Sequence, residues 1–267
     1  MVDLSSFNQP QKRVWGSGDP VRFATTIVLV SELLCEAVDL RAGQRVLDVA
    51  TGTGNSALAA ARRNCDVVGI DYVPSLLEKA RDRAAVEGLT VEFRVGNAER
   101  IPYPDGSFDA VLSTFGVMFV PDQERSAAEL LRVCRPGGKI GITSFTPDSL
   151  AAQFSIVTAN HVQPPRVVRA PWLWGIENHV RGLFGDAVND LTASHRSVVL
   201  RFRTAGDLVD FFHQNFGPMR HAFQALPGGK QGLLREELIQ ATERFNISGE
   251  ATAVVPFDYL EVVGVKR

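Results

Sequence analysis

A carboxylate and two glycines within seven residues mark the part of the chain best suited to chemistry. Asp48 lies in the apolar run VLDVA, and Gly52 and Gly54 follow in TGTG, ahead of the Ala-rich run NSALAAARR. Glycines allow positive φ and let a ligand approach the backbone without a Cβ in the way. The N-terminal N–H groups of the following helix would point at the same place. The spacing predicts a ligand site at residues 52–55.

The glycine pattern by itself fits more than one cofactor. GTGNSA matches G-x-G-x-x-A, the dinucleotide fingerprint, and Asp71 matches the acidic residue that binds a ribose at the end of the second strand. Asp48 argues against a dinucleotide, because a carboxylate aimed at this turn would repel a pyrophosphate. It suits a cofactor whose near end is cationic and amino-acid-like. Asn97, in GNAER, is able to read an adenine edge.

Each of these polar residues also has a purely structural interpretation. Asp48 could cap a backbone turn, and Asp71 could be the N-cap of a helix that begins near Pro74. Asn97 could be a turn former after a strand. Glu99 is expected to face solvent and receives no role. Binding and capping are compatible, so the two interpretations stay open together.

The elements that would position these residues alternate between strand and helix. Apolar, Val/Ile-rich strands are predicted at 45–50, 66–72, 91–97, 108–115 and 139–145, with helical runs between them. This alternation predicts an α/β fold with a parallel sheet and helices on both faces. A later strand at 192–203 has one wetter face and is expected near the sheet edge.

The carboxyl half lacks this regular alternation of strands and helices. Helical runs are predicted around 206–226 and 230–246, and a last strand contains Pro256, which favours a bulge or a strand start at that point. An aromatic, Pro-rich segment at 161–184 could cover a substrate pocket together with the 204–226 run. It could equally seal helices onto the sheet.

Four segments, taken in order, carry a resemblance to a known family. DVATGTG, GIDY, GNAERIPYPDGSFDAVLS and LRVCRPGGKIGI resemble class I S-adenosylmethionine-dependent methyltransferases, in particular the branch with the ubiquinone- and menaquinone-biosynthesis enzymes. The resemblance implies a Rossmann-like, seven-stranded, mostly parallel sheet and one methyltransferase domain over 1–267. Its cofactor-binding core would be about 40–146, with substrate-covering helical insertions at about 147–189 and 204–248. The family pattern D-x-G-x-G-x-G is altered here, since Ala50 replaces its first glycine.

The resemblance implies S-adenosyl-L-methionine as the cofactor. Asp48 would lie near its methionine end, with Gly52 and Gly54 forming the loop beneath it. Thr114 and Phe115, just past the fourth strand, would border the methionine portion.

The nucleoside end of the cofactor would meet a second set of residues by the same resemblance. Asp71 would accept both ribose hydroxyls, and Tyr72 would pack on the adenine. Asn97 and the backbone of Ala98 would contact the adenine edge. The segment RVWGSGDP resembles the N-terminal segment that closes over the cofactor, and it adds two candidates, Trp15 and Gly18.

The implied reaction is the in-line displacement of a methyl group from a sulfonium, promoted mainly by proximity. The expected acceptor is a small molecule, methylated at oxygen or carbon. A general base is needed only if the acceptor carries a proton at neutral pH. The candidate catalytic residues are two histidines, His179 and His161.

Composition and charge limit the classes of partner that the sequence predicts. The net charge of −2 does not favour nucleic acid, no apolar run is long enough to span a bilayer, and no signal-peptide core is visible. We therefore expect no nucleic-acid partner, no membrane insertion and a cytoplasmic location. His and acidic residues do not cluster at metal-ligand spacing, so no metal site is expected.

Two alternatives remain from the sequence. One is an NAD(P)-dependent oxidoreductase, supported by G-x-G-x-x-A and Asp71 alone. The other is a domain that binds the cofactor without transferring a methyl group. The sequence does not indicate an oligomeric state.

Overall fold

The computed structural model describes residues 11–162 and 169–267. Within these ranges the chain forms two compact units. The sheet unit contains residues 27–147, 169–196 and 259–267, and the helical unit contains residues 11–26, 148–162 and 197–258.

The strands and helices have the following bounds. The strands are β1 (Arg45–Val49), β2 (Asp66–Asp71), β3 (Glu92–Val95), β4 (Phe108–Thr114), β5 (Cys134–Phe145), β6 (Val188–Phe202) and β7 (Ala253–Lys266). The helices are α1 (Pro20–Thr25), α2 (Val28–Val38), α3 (Asn55–Arg62), α4 (Pro74–Val86), α5 (Gln123–Val133), α6 (Leu150–His161), α7 (Glu177–Phe184), α8 (Ala205–Asn215), α9 (Gly217–Gln224) and α10 (Gly228–Phe245). Short 3₁₀ segments lie at Val117–Phe119, Pro171–Gly175 and Gly185–Ala187.

The strands form one seven-stranded sheet in the order β3-β2-β1-β4-β5-β7-β6. Neighbours from β3 to β5 are parallel, and β7 is antiparallel to β5. This arrangement confirms the predicted Rossmann-like, mostly parallel sheet, and the strand at 188–202 is at its edge as expected. The strand order reverses between β1 and β4, and ligands bind at the carboxyl ends of strands beside such a reversal.

Small residues let the first helices pack closely on the sheet. Ala57, Ala59 and Ala60 on α3 are completely or almost completely buried, and α3 contacts α2, β1 and β2. The chain passes from the end of β1 through a short turn into α3, whose buried residues also include Leu58. The turn at 50–54 is therefore fixed on both sides by buried structure.

Two predicted boundaries were wrong for identifiable reasons. The helix before the fifth strand ends at Val133, and β5 begins at Cys134, with a register shift in its pairing to β4 between Phe108 and Ala110. The predicted helical run at 206–226 is two helices, because Gly217 and Pro218 begin α9. Pro256 lies inside β7, ahead of the Tyr259–Val265 stretch that pairs with β5, so the missing N–H leaves that ladder intact.

Ala50, which replaces the first glycine of the family pattern, has a backbone conformation that normally favours glycine. Ala50 has φ +54, in the left-handed region that costs a non-glycine residue about 1–2 kcal/mol. A Cβ on Gly116 would lie 2.7 Å from the Ala50 Cβ and 2.9 Å from the Ala50 carbonyl oxygen. The methyl group at position 50 is thus accommodated by the lack of one at position 116.

We expect Gly116→Ala to lower the free energy of unfolding by about 1–3 kcal/mol, the usual cost of overpacking a core. Ala50→Gly in the same chain should restore part of the loss, because it removes the clashing Cβ. Equilibrium urea unfolding measures both effects. Gly182→Ala in α7 is the control, since its Cβ would meet no atom within 4 Å. Equal stabilities of the Gly116→Ala and Gly182→Ala variants would contradict the packing argument.

Candidate functional site

The two glycines of the turn after β1 have different structural roles. Gly52 has φ +55, and a Cβ there would meet nothing within 4 Å, so the space on that side is open for a ligand. Gly54 has φ +91, but a Cβ there would lie 3.2 Å from atoms of Ala80 and Phe93. Gly52 therefore presents bare backbone outward, whereas Gly54 allows the turn to pack on α4 and β3.

Asp48 lies near the end of β1 and is buried behind this turn. Its Oδ2 accepts hydrogen bonds from the Thr51 hydroxyl (2.5 Å) and from the Ala57 N–H of α3 (3.0 Å). Gly69, its register partner on β2, leaves room for this network, since a Cβ there would lie 3.1 Å from Thr51 Oγ1. The capping interpretation of Asp48 is therefore correct. Contact between Asp48 and a cofactor stays a prediction.

Asp71 connects the end of β2 to the same turn. Its Oδ2 accepts a hydrogen bond from the Gly52 N–H (2.9 Å), and its Oδ1 accepts one from the Val73 N–H (2.9 Å) just before α4. A carboxylate offers about four lone-pair positions. The two backbone bonds leave each oxygen able to accept one further donor, such as a ribose hydroxyl.

Burial raises the pKa of both carboxyl groups. The pKa of Asp48 is raised to about 7, first by burial and further by the charge of Asp71, although its two hydrogen bonds act in the opposite direction. Burial raises the pKa of Asp71 to about 6 against the effect of its backbone hydrogen bonds. Protonation of this site therefore changes within the neutral pH range.

Hydroxyl groups continue the site from the turn to β4. Ser56 donates to the Ser31 hydroxyl of α2 (3.0 Å) and lies 2.7 Å from the Thr114 hydroxyl at the end of β4. Either hydroxyl can donate in the bond between Ser56 and Thr114. A hydroxyl both donates and accepts, so Thr114 Oγ1 keeps capacity for a further hydrogen bond.

Phe115 follows with a left-handed backbone. Its φ is +52, and its buried ring stacks on Phe145 of β5 with a centroid distance of 4.0 Å and an interplanar angle of 8°. Tyr259 of β7 meets the same ring edge-on at 5.5 Å. The structure thus brings the predicted residues Thr114 and Phe115 to the carboxyl ends of the central strands.

The segment after β3 is organised by Asn97 and Glu99. Asn97 Oδ1 accepts from the Glu99 N–H (2.9 Å), which fixes the plane of the amide. Ala98 is buried beside it. The expectation that Glu99 faces solvent was wrong: its carboxylate is buried and accepts a hydrogen bond from the Asp122 N–H (2.9 Å). Its role is to join this segment to the start of α5.

Sequence reasoning did not find a positively charged side chain that holds the turn from outside. Arg83 of α4 donates to the Thr53 carbonyl (2.7 Å) and approaches the Thr53 hydroxyl (3.1 Å). Burial lowers the pKa of Arg83, but a guanidinium remains charged at neutral pH. Tyr72 is half-buried next to Asp71, and burial raises the pKa of its phenol. Arg83 lies in the last turns of α4, far from Thr53 in sequence, and no sequence pattern links the two residues.

The two N-terminal candidates belong to the helical unit. Trp15 meets Phe216 edge-on with a centroid distance of 5.8 Å. Gly18 has φ +78, and a Cβ there would lie 2.9 Å from the Asn215 carbonyl, so close packing on α8 requires this glycine. A role for Trp15 and Gly18 in cofactor binding stays a prediction.

His179 of α7 is held by the first residue of α5. Its Nε2 lies 2.9 Å from Oε1 of Gln123, and the amide nitrogen of Gln123 donates to the Ala170 carbonyl (3.3 Å). Because Gln123 Oε1 can only accept, Nε2 of His179 carries the proton and Nδ1 of the neutral ring is unprotonated. Burial, and then the charge of Arg169, lowers the pKa of His179.

His161, in the helical unit, lies beside a carboxylate. Its Nε2 lies 3.0 Å from a carboxylate oxygen of Glu237, which joins the end of α6 to α10. This pairing gives His161 a structural contact between two packed helices. Its predicted catalytic role stays a prediction.

Within residues 11–162 and 169–267, no group of three or more His, Cys, Asp or Glu side chains is arranged to hold a metal ion. Across the same ranges, every helix falls short of the length and apolar character that crossing a bilayer requires.

The chain is similar to known proteins both in sequence and in fold. Residues 47–142 match the family described as "Methyltransferase domain". An uncharacterized protein of Mycobacterium tuberculosis is 36% identical over 260 residues, covering 96% of this chain and 94% of that protein. The demethylmenaquinone methyltransferase of Thermus thermophilus is 41% identical over 154 residues, covering 56% of this chain and 66% of that enzyme. In fold, the chain resembles the crystal structure of YcgJ from Bacillus subtilis (TM-score 0.63, 20% identity, 89% of this chain and 98% of that one).

A seven-stranded sheet of this order, with an acid-glycine turn after its first strand, is typical of Rossmann-like cofactor-binding proteins. The chain belongs to the class I S-adenosylmethionine-dependent methyltransferases. Its cofactor is S-adenosylmethionine. These statements confirm the resemblance, the cofactor and the enzyme class predicted from the sequence.

The raised pKa of Asp48 gives a testable pH dependence of stability. The folded state binds this proton more tightly than the unfolded state does, so the contribution of Asp48 to stability is present at low pH. It is lost as pH rises through about 7. Relative to wild type, Asp48→Asn should therefore gain stability between pH 4 and pH 8, by at most about 1.4 kcal/mol per pH unit.

The measurement is chemical denaturation of both proteins without cofactor across this pH range. Asp109→Asn is a control of opposite sign, because a backbone N–H and then Arg135 lower the pKa of Asp109. That variant should lose stability relative to wild type at pH 7 and approach wild type at low pH. A pH-independent difference between Asp48→Asn and wild type would contradict the raised pKa.

Proposed function

We propose that the enzyme transfers the methyl group of S-adenosylmethionine to a small-molecule acceptor, at oxygen or alternatively at carbon. The observation that carries the proposal is the open, bare backbone of Gly52 between two buried carboxyl groups, Asp48 and Asp71. Similarity to a demethylmenaquinone methyltransferase over 154 residues supports a small-molecule acceptor. The cytoplasmic location remains a prediction of the sequence.

The residues of the turn fit this cofactor. The sulfonium and ammonium groups of S-adenosylmethionine are cationic, and a carboxylate buried just behind the turn attracts them without needing direct contact. Asp71 has lone pairs left for both ribose hydroxyls. A dinucleotide would bring its pyrophosphate to the same turn, where ionised Asp48 and Asp71 oppose it. The charges therefore favour the methyltransferase cofactor over the nicotinamide alternative.

The nucleoside and methionine ends would be held by the residues on either side. Tyr72 would pack on the adenine, while Asn97 and the Ala98 backbone would meet its edge. The hydroxyl group of Thr114 and the ring of Phe115 would border the methionine portion. The bound cofactor supplies an electrophilic methyl group, and the chain contributes orientation and exclusion of water.

We assign His179 as the base for an acceptor that carries a proton. Gln123 is the first residue of α5 and lies shortly after β4, so His179 lies on the side of the sheet where β4 ends. The lowered pKa keeps the ring neutral at pH 7, and the bond to Gln123 leaves Nδ1 as the basic atom. An acceptor hydroxyl would lose its proton to Nδ1 as its oxygen takes the methyl group.

The cofactor assignment predicts selective binding. Wild type should bind S-adenosylmethionine in a calorimetric titration and should not bind NADH. Asp71→Asn should weaken binding at least about tenfold, because the amide replaces one acceptor oxygen with a donor. Binding to wild type should also weaken below about pH 6, where Asp71 takes up a proton.

Asp109→Asn serves as the control for this titration, since Asp109 lies at the opposite end of the strands and contacts Arg45 and Arg135. Its affinity for the cofactor should equal that of wild type. NADH binding in place of S-adenosylmethionine would overturn the proposed function.

The role of His179 predicts its protonation state. In ¹⁵N-resolved NMR of the imidazole rings, His179 should be neutral at pH 7.5, with the proton on Nε2. Gln123→Leu should abolish the preference for that tautomer. The exposed His195 on β6 is an internal reference. A protonated ring at pH 7.5, or a proton on Nδ1, would eliminate His179 as the base.

A further inference from the structure

A surface cleft in the helical unit, the arginine cleft, is lined by three arginines. Its volume is about 840 Å³, which lies within the range of small-molecule sites. Arg22 of α1, Arg201 at the end of β6 and Arg203 just after that strand all line it, and all three are exposed. One face of α8 and the first residues of β7 complete its walls. The arginine cleft therefore combines open space with a concentration of positive charge.

The three guanidinium groups lack the carboxylate partners that most arginines of the chain have. Among the described residues, ten other arginines form ion pairs with Asp or Glu, whereas Arg22, Arg201 and Arg203 form none. Arg201 donates to the Val199 carbonyl (3.3 Å), and the guanidinium of Arg22 lies 5.7 Å from the centroid of the Phe211 ring. Neither contact neutralises a charge. An anion in the cleft would therefore meet donors that no carboxylate occupies.

The two carboxyl groups on the lining have contacts of their own. Asp210 accepts two hydrogen bonds from Arg235 (2.7 and 2.8 Å), and these bonds hold its pKa below the usual range. Asp207 accepts a hydrogen bond from the Thr204 hydroxyl (2.9 Å), and its N–H donates to that hydroxyl at the start of α8. Because Asp210 and Arg235 are neutral as a pair, the three arginines face one uncompensated carboxylate. The resulting excess of two positive charges matches a dianion.

A phosphate monoester fits both this charge and these donors. It carries a charge of about −1.5 to −2 at pH 7, whereas a carboxylate carries a single negative charge. A guanidinium group presents its N–H donors as a planar fork, and this geometry matches the oxygens of a phosphate. The arginine cleft thus favours a phosphate dianion over a carboxylate.

Two aromatic rings give the arginine cleft an apolar part. Phe202 of β6 and Phe211 of α8 line it, and both are half-buried. Their ring centroids lie 5.2 Å apart with an interplanar angle of 55°. The exposed parts of such rings gain free energy from contact with another aromatic ring. We therefore expect the organic part of the phosphate ester to be aromatic.

We propose that the arginine cleft binds the phosphate monoester of an aromatic small molecule. Arg22, Arg201 and Arg203 contact the phosphate, and Phe202 and Phe211 contact the ring. The site uses residues of the helical unit alone, and it requires neither bound cofactor nor methyl transfer.

The experiment is a calorimetric titration of the full chain, without cofactor, with phenyl phosphate, methyl phenyl phosphate and inorganic phosphate. Wild type should bind phenyl phosphate at least about tenfold more tightly than its methyl ester, which carries only one negative charge. It should bind inorganic phosphate severalfold more weakly than phenyl phosphate, because the ring contacts are missing.

Substitutions test the two parts of the site separately. The double variant Arg201→Gln/Arg203→Gln should bind phenyl phosphate at least about tenfold more weakly. Phe211→Leu should weaken the binding of phenyl phosphate severalfold and leave that of inorganic phosphate unchanged. Asp207→Asn should strengthen the binding of phenyl phosphate, since it removes the negative charge that opposes the ligand.

The matched control is the double variant Arg41→Gln/Arg94→Gln. Both residues are exposed, lie in the sheet unit and form ion pairs there, so the control loses the same charge outside the cleft. Its affinity for phenyl phosphate should equal that of wild type. A Tm close to that of wild type in each variant excludes unfolding as the cause of lost binding.

Four results would overturn the site. They are no binding of phenyl phosphate to wild type, equal affinity for its methyl ester or for inorganic phosphate, an equal loss of affinity in the two double variants, and displacement of phenyl phosphate by S-adenosylhomocysteine. The last result would place the phosphate ester in the cofactor site. None of the four bears on methyl transfer, so the proposed function is tested separately.

Discussion

The hydrogen bonds accepted by one oxygen of Asp48 hold the end of β1, the turn and the start of α3 in a single arrangement. Thr51 and the Ala57 N–H both donate to Oδ2, and Gly69 on the neighbouring strand provides the space for them. Without this carboxyl group the first turn of α3 would present a buried N–H with no partner, which proteins rarely tolerate. Because Gly52 takes its position from the same turn, the surface offered to the cofactor is determined from inside the protein.

The same arrangement carries an electrostatic cost that the cofactor can relieve. Two carboxyl groups lie buried close enough for the charge of Asp71 to raise the pKa of Asp48. Folding must therefore either keep a proton on Asp48 or bury a second negative charge. A cationic ligand above the turn makes the ionised state less unfavourable, so the two carboxyl groups favour a positively charged cofactor.

The features that the sequence predicts are those encoded within short stretches of the chain. The strand order and the positions of Asp48, Gly52 and Asp71 follow from alternation and from a turn motif, which are encoded within short windows. The contact of Arg83 with Thr53 and the burial of Glu99 were not predictable, because they depend on the packing of elements distant in sequence. The motif predicts Gly54 in the loop beneath the cofactor, and its neighbours add a packing role on α4 and β3 that the motif did not indicate.

The position of β7 has a consequence for how the chain reaches its native state. This strand lies between β5 and the edge strand β6, although it is synthesised long after β5. Until β7 is made, the edge of β5 carries unpaired N–H and C=O groups, which are templates for pairing with another chain. Closing a sheet over such a sequence distance also slows folding. The edge of β5 therefore stays open to such pairing until β7 joins the sheet, and packing of α2 on the face of β5 does not close that edge.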